Sequence, residues 1–268
     1  MKAVTLGPAG TYSHRAADAV VDEVCFRESV TSIVEAVAEG EVERGVIPVE
    51  NSIEGSVTES LDALTEYEVA VVREVVTPIR HALLAQHGDF ETVASHSQAL
   101  AQCRSFLESE FPDVALEAVA STARGVEQAR EDPTVAAIGH PDNAHDGLQV
   151  LAEDIQDWAS NETRFFVIAP VSERADGGGK TSIVIYPNTD YPGLLLELLE
   201  AFADRDINLT RIESRPSGTR LGDYLFHIDF AAGLYEERTQ AAIADVEDII
   251  ADDGWVRRLG SYDIQHVV

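Results

Sequence analysis

Five short stretches of the 268-residue chain carry side chains whose types and spacing suit chemistry on a small anion. Thr11, Tyr12 and Ser13 stand where the turn Gly7-Pro8-Ala9-Gly10 enters a helical pattern. Unpaired backbone N–H groups and the helix dipole favour an anion there; the alternative is simple N-capping. Ser121 and Thr122 open a second such helix. Asn51 and Ser52 follow an apolar strand at 46–49, at the carboxyl end where α/β sheets place ligand groups. Their amide and hydroxyl can hold a substrate hydroxyl without adding charge. The neighbouring Glu50, if ionised, would repel an anion, so it must turn away or carry a proton. His96 titrates near ~6.5 when unperturbed and is either a proton donor or a structural group; Gln98 is a further polar contact. Thr163 has a hydroxyl too weakly acidic to surrender its proton at neutral pH. It can donate a hydrogen bond where charge develops, or merely open an apolar strand. Arg164 offers a planar bidentate donor matched to carboxylate, or a surface ion pair. Phe165 and Phe166 point to opposite sheet faces because strand side chains alternate, and Phe166 belongs to the core.

No dinucleotide fingerprint, phosphate loop or metal-spaced His/Cys cluster accompanies these residues, so neither metal nor cofactor is expected. His81, His87, His140 and His145 lack metal spacing, and Cys25 and Cys103 are too few for a disulfide framework or a four-thiolate site.

The positioning elements follow from periodicity. Strands at 2–6 and 46–49 alternate with a helix from about Thr11, a helix with capping-box spacing at Ser32 and Glu35, and a helix carrying Val57, Leu61 and Leu64. A strand-rich passage at 69–85 is broken by Pro78. A second α/β group follows, with strands at 92–95, 114–119 and 135–139 and a helical stripe of Ala99, Cys103, Phe106 and Leu107. A late strand spans 163–169. Passages near 77–82 and 161–168 bracket this group, which predicts two lobes joined by two crossings around a cleft. Asp176-Gly177-Gly178-Gly179 reads as a linker. Beyond it come strands at 181–186, 207–214, 223–230 and 255–267 and helices capped near Asp190 and spanning 236–251. That βαββαβ order predicts a ferredoxin-like sandwich.

The chain has 19 Lys+Arg against 48 Asp+Glu, a formal charge of −29. Nucleic-acid and anionic-membrane partners are thereby excluded, since phosphate contacts need clustered cations. Lysine occurs only at Lys2 and Lys180. Such a surface repels itself in dilute salt and is screened at molar salt, which predicts a salt-rich cytoplasm; the alternative is an ordinary acidic protein. No apolar run approaches the ~20 residues of a membrane helix, and Met1–Pro8 holds no export signal core.

Further stretches complete a pattern: Pro48-Val49-Glu50-Asn51-Ser52-Ile53-Glu54-Gly55, His96-Ser97-Gln98-Ala99-Leu100-Ala101-Gln102-Cys103, Ser121-Thr122-Ala123, Asn161-Glu162-Thr163-Arg164-Phe165-Phe166-Val167-Ile168 and Glu213-Ser214-Arg215-Pro216. With the Gly7–Ser13 stretch, in this order and over nearly the whole chain, they resemble prephenate dehydratase with a C-terminal ACT regulatory domain. The resemblance implies a periplasmic-binding-protein-like catalytic domain over 1–175, its second lobe at about 80–158, and a ferredoxin-like ACT domain over 180–268. It implies conversion of prephenate to phenylpyruvate, water and carbon dioxide, with Thr163 and Arg164 as catalytic residues. Thr11, Tyr12, Ser13, Asn51, Ser52, His96, Gln98, Ser121, Thr122 and Phe165 would then hold the substrate. L-Phenylalanine would act as effector at Gly193, Leu194, Leu195, Asn208, Glu213, Ser214, Arg215 and Pro216, in a homodimer or homotetramer. Two departures stand out: the family usually has proline at Ser97, and Gly-Ala-Leu where this chain has Gly193-Leu194-Leu195, a bulkier group that would narrow an effector pocket. Arogenate dehydratase and a non-catalytic two-lobed amino-acid or organic-anion sensor are the alternatives.

Overall fold

A computed structural model describes residues 1–158, 160–175 and 177–267. Asp176 of the expected linker and Val268, the expected end of the C-terminal domain, lie outside the described residues. The first lobe contains β1 (Lys2–Leu6), α1 (Tyr12–Asp18), β2 (Glu23–Arg27), α2 (Val30–Ala38), β3 (Gly45–Asn51), β4 (Gly55–Ser56), α3 (Thr58–Glu66) and β5 (Val69–Pro78). The second lobe follows with β6 (Ala82–Ala85), β7 (Thr92–His96), α4 (Ser97–Gln102), α5 (Arg104–Glu110), β8 (Ala115–Val119), α6 (Thr122–Glu131), β9 (Val135–Gly139) and β10 (Gln149–Ala152). The chain then returns to the first lobe as β11 (Glu162–Pro170). The C-terminal domain comprises β12 (Lys180–Tyr186), α7 (Leu194–Ala203), β13 (Leu209–Pro216), β14 (Tyr224–Phe230), α8 (Glu237–Ile249) and β15 (Trp255–Tyr262), and β16 (Ile264–His266) comes last.

Among the described residues there are three sheets. The first runs β16-β5-β11-β3-β1-β2 with β4 on β3; the second runs β10-β6-β9-β7-β8; the third runs β13-β14-β12-β15. The third order is that of a ferredoxin-like sandwich, as its βαββαβ pattern predicts. In the first sheet, β1, β2 and β3 are parallel while β11 runs antiparallel between β3 and β5. Two returning crossings therefore hinge the lobes, as expected.

Several local details differ from the sequence expectation. Strand β2, an edge strand with a half-exposed face, carries too little apolar alternation to be read. The cap of α2 is Ser29, whose side chain accepts from the Ser32 amide, so Ser32 lies inside the helix rather than at its start. The stripe through Cys103 is two short helices meeting at that residue. The cap of α7 is Gly193, at φ +104°, not Asp190; a positive φ there suits glycine. The expected strand 255–267 is two strands, and the second, β16, leaves its own domain and pairs in parallel with β5.

Alternation divides the first sheet's core. Val46, Val75, Phe165 and Val167 pack with Ala16 and Ala17 of α1. On the opposite face, Ile47, Val49, Phe166 and Ile168 pack with α2 and with Val184, Leu225, Leu259 and Tyr262 of the C-terminal domain. That domain therefore shares a core with the first lobe; each large aliphatic buried there contributes roughly 1.5–3 kcal/mol. At Gly260 a Cβ would lie 2.2 Å from the Val71 carbonyl oxygen, so glycine allows β15 to approach β5 closely. No helix among the described residues is long and apolar enough to cross a membrane.

Candidate active site

A cleft of about 320 Å³ opens between the two lobes. The first lobe lines it with Leu6, Thr11, Tyr12, Ser13, Pro48, Asn51, Thr163 and Phe165. The second contributes His81, His96, Gln98, Ala99, Gln102, Ala120, Ser121 and Thr122. Ten of the twelve residues expected for catalysis or substrate binding thus meet in one place; Ser52 and Arg164 do not.

Asn51 fixes the direction of every hydrogen bond in the cleft floor. Its Oδ1 accepts the Ile53 and Glu54 amides at 3.0 and 3.2 Å, so its Nδ2 must be the donor. That Nδ2 lies 3.0 Å from Thr163 Oγ1 and 2.9 Å from Asn161 Oδ1. The Thr163 oxygen is thereby occupied as an acceptor and its own proton is free to point into the cleft. Asn161 in turn donates to Gln102 Oε1 at 2.9 Å. His81 Nε2 is also 2.9 Å from that oxygen and must carry a hydrogen, because an amide oxygen only accepts. Burial lowers the pKa of His81, against the opposing effect of its bond to Gln102, and so holds the ring neutral. Gln102 Nε2 is buried without a partner, a donor left for a ligand.

Asn51 and Thr163 are cross-strand neighbours on β3 and β11, so sheet register brings them together. Tyr12 reaches across from α1, donating to the Arg80 carbonyl at 2.5 Å and standing 3.4 Å from His81 Nδ1; burial raises its pKa above the ordinary phenol value. Thr11 and Ser121 cap α1 and α6, accepting the amides of His14 and Arg124. His96 caps α4, its Nδ1 accepting the Gln98 amide at 3.4 Å. The helices of both lobes therefore begin at the cleft, and the capping alternative holds together with the cleft position. Ser97 occupies the first position of α4, where proline is also tolerated.

His81, Gln102 and Pro48 line the cleft without being among the expected site residues. His81 has no metal spacing to mark it, and Gln102 and Pro48 lie inside the motif stretches at positions whose residue types suggest no role. Ser52 instead braces the lobe crossing, accepting the Glu162 amide and donating to the Ser160 carbonyl, both at 3.0 Å.

Arg164 lies on the far face of β11. Its Nη1 contacts Glu74 Oε2 at 2.9 Å and Asp229 Oδ2 at 2.7 Å, and its Nη2 is 3.1 Å from Glu50 Oε2. It is therefore not placed to bind a carboxylate in the cleft. The same contact answers the question of Glu50, which turns away from the cleft. Burial alone would lower the Arg164 pKa, but the charges of Asp229 and Glu74 outweigh it and the net shift is upward. For Asp229 burial pushes the pKa up, and Arg164 and Arg211 more than reverse it.

The residues expected to bind an effector lie at the start of α7, just before β13 and along β13. Gly193, Leu195, Asn208, Ser214 and Pro216 are exposed. Leu194 is 6% exposed and packs into the C-terminal core, so its bulk fills that core rather than a ligand pocket. Glu213 and Arg215 face the first lobe: Glu213 accepts from Ser56 Oγ at 3.0 Å, and Arg215 grips Asp62 through two nitrogens at 3.1 and 2.9 Å.

Comparison with known proteins agrees with this architecture. The prephenate dehydratase family profile matches residues 3–173 and the ACT domain profile matches residues 184–247. A bifunctional chorismate mutase/prephenate dehydratase of Aquifex aeolicus is 39% identical over 98% of this chain and 73% of its own length. Arogenate dehydratase/prephenate dehydratase 2 of Arabidopsis thaliana is 38% identical over 96% of this chain and 71% of its own length. The crystal structure of a prephenate dehydratase in complex with L-Phe from Arthrobacter aurescens superposes with a TM-score of 0.89 at 36% identity, covering 98% of this chain and 90% of that one. On matched profiles and fold alike, the chain belongs to the prephenate dehydratase family and carries an ACT domain.

Proposed function

We propose that the chain converts prephenate to phenylpyruvate in the cleft and that L-phenylalanine, bound by the ACT domain, feeds back on that rate. The observation carrying the first half is the Asn51–Thr163 pair, which leaves the Thr163 hydroxyl proton free to donate beside a cleft shared by two lobes. In the reaction the bond between ring and carboxylate breaks, releasing CO2, and its electron pair enters the ring. The bond to the ring hydroxyl breaks with it, and the departing oxygen takes a proton to leave as water. Thr163 donates a hydrogen bond to that oxygen as its charge grows, where a fixed donor is most effective. Phe165 walls the ring. The starts of α1 and α6, at Thr11–Ser13 and Ser121–Thr122 on opposite lobes, offer amides and hydroxyls to the two carboxylates. No arginine or lysine lines the cleft among the described residues, so neutral donors hold the dianion. The crystal structure of the Arthrobacter aurescens relative with L-Phe supports the effector.

Turnover of prephenate in concentrated KCl, with arogenate in parallel, tests the activity. The Arabidopsis relative bears both names and keeps arogenate as the second substrate reading. Absence of turnover on either compound, with retained binding of both, would return the chain to the sensor reading. The acidic composition supports a salt-rich cytoplasmic setting, checked by circular dichroism during a KCl titration. Exposed Ile212 on the edge strand β13, with exposed Leu221 in the following turn and Tyr224 at the start of β14, supports a homodimer or homotetramer, checked by analytical ultracentrifugation.

A further inference from the structure

The residues one step along from the catalytic pair form a second cross-strand pair. Asn51 faces Thr163 in register, and Glu50 faces Arg164. Because strand side chains alternate, the first pair meets the cleft and the second meets the ACT sheet. Arg164 is 8% exposed, Glu74 2% and Asp229 2%, so three charges are withdrawn from water at the junction of the two domains. Lys180, at the start of the ACT domain, adds a fourth, 2.8 Å from Glu74. Burying such charges is costly unless each is matched, and here two cations meet two carboxylates in close geometry. Asp229 is itself held on the ACT side: its Oδ1 accepts from Ser182 Oγ at 2.5 Å, and that hydroxyl touches Tyr262 Oη at 2.5 Å. The Arg164 guanidinium lies over the Phe166 ring, 5.3 Å from its centroid. A hydrophobic junction alone would hold the domains together. This one adds a directional tie from an ACT strand to the residue that follows Thr163.

We propose that Arg164 is a positioning residue, tied through Asp229 to the ACT sheet so that the placement of that sheet sets the placement of Thr163. The proposal rests on the activity proposed above for its kinetic readout but not for its structural one. A displacement of β14 is carried by Asp229 to Arg164 and, through the stiff backbone of β11, to the neighbouring hydroxyl. Glu50, ion-paired with the same guanidinium at 3.1 Å, carries it to Asn51 on β3. The strand pair that holds the cleft floor is thus the pair that faces the regulatory domain.

The test is Asp229→Asn, which keeps the side-chain size and its bond from Ser182 and removes the charge. Asp229 lies in the ACT sheet and lines no part of the cleft. Amide hydrogen exchange at residues 50–52 and 162–164 is expected to quicken by about tenfold, while residues 183–185 of the ACT core exchange as in the parent. With prephenate, kcat is expected to fall by about tenfold and KM to change by less than about twofold, the mark of a misplaced group rather than lost binding. Asp229→Glu, which restores the charge, is expected to recover part of both. Where Asp229→Asn does not fold, Arg164→Lys is read by the same two measurements. Parent-like exchange at 162–164 in these variants overturns the proposal. If the parent itself fails to turn over prephenate, the activity fails, and the exchange comparison still decides the tie.

Discussion

The two faces of the strand pair β3–β11 obey opposite electrostatic rules. Toward the cleft stand Asn51, Thr163 and Phe165, all neutral, and two backbone amides set the direction of the Asn51–Thr163 hydrogen bond. Toward the ACT domain stand Glu50 and Arg164, the arginine paired with Glu50, Glu74 and Asp229, and Glu74 in turn with Lys180. One residue of strand separates them. The contrast shows how a protein of charge −29 can receive a dianion: its formal charges are kept off the cleft floor, on the side where they join domains.

The contrast can be broken from either side. Glu74→Ala has the largest expected effect, because it strips Lys180 and Arg164 of a shared buried partner; a loss of about 3–5 kcal/mol is expected in urea unfolding. Thr163→Ala comes next, with kcat lower by about 10²–10³ and binding of phenylpyruvate retained. Asn51→Asp sharpens the argument about direction. A carboxylate would still accept the Ile53 and Glu54 amides but would draw the Thr163 proton toward itself and away from the cleft. Its kcat is expected to approach that of Thr163→Ala, with the melting temperature measured alongside. A smaller effect concerns His227, buried on the ACT face 3.1 Å from Thr65 Oγ1. Burial first, and the charge of Arg211 second, lower its pKa to about 3. The unfolded chain takes up that proton near pH ~6.5. The stability due to neutral His227 is therefore complete above that value and drains away as the pH falls toward 3. His227→Gln should flatten the decline of the urea midpoint between pH 6 and 4. Smallest is the exposed Arg104–Glu108 pair at 3.8 Å, whose removal should leave unfolding unchanged within about 0.5 kcal/mol.

Much of this was legible in the residues, and the failures have physical causes. Two lobes and a sandwich followed from strand and helix periods, since those periods report the buried face directly. The cleft residues followed from hydroxyl and amide groups at strand ends and helix starts. Arg164 was misplaced although the rule that would have placed it was in use: the alternation that sends Phe166 to the far face sends Arg164 there too. Glu213 and Arg215 likewise share one face of β13, and their partners Ser56 and Asp62 lie more than 150 residues away, beyond the reach of any local pattern. His81 and Gln102 become site residues only through a tertiary chain of hydrogen bonds. The strand at 264–266 reads as a continuation of its predecessor because nothing in three residues announces a change of sheet.

That strand alters what kind of appendage the ACT domain is. β5 takes β11 on one flank and β16 on the other, and the regulatory domain lies between those two strands in the chain. The domain is therefore spliced into the catalytic sheet like a long loop, clasped at entry and exit, instead of dangling from a single tether. It cannot swing free on one hinge, and clipping residues 264–266 would bare a flank of the enzyme's own sheet.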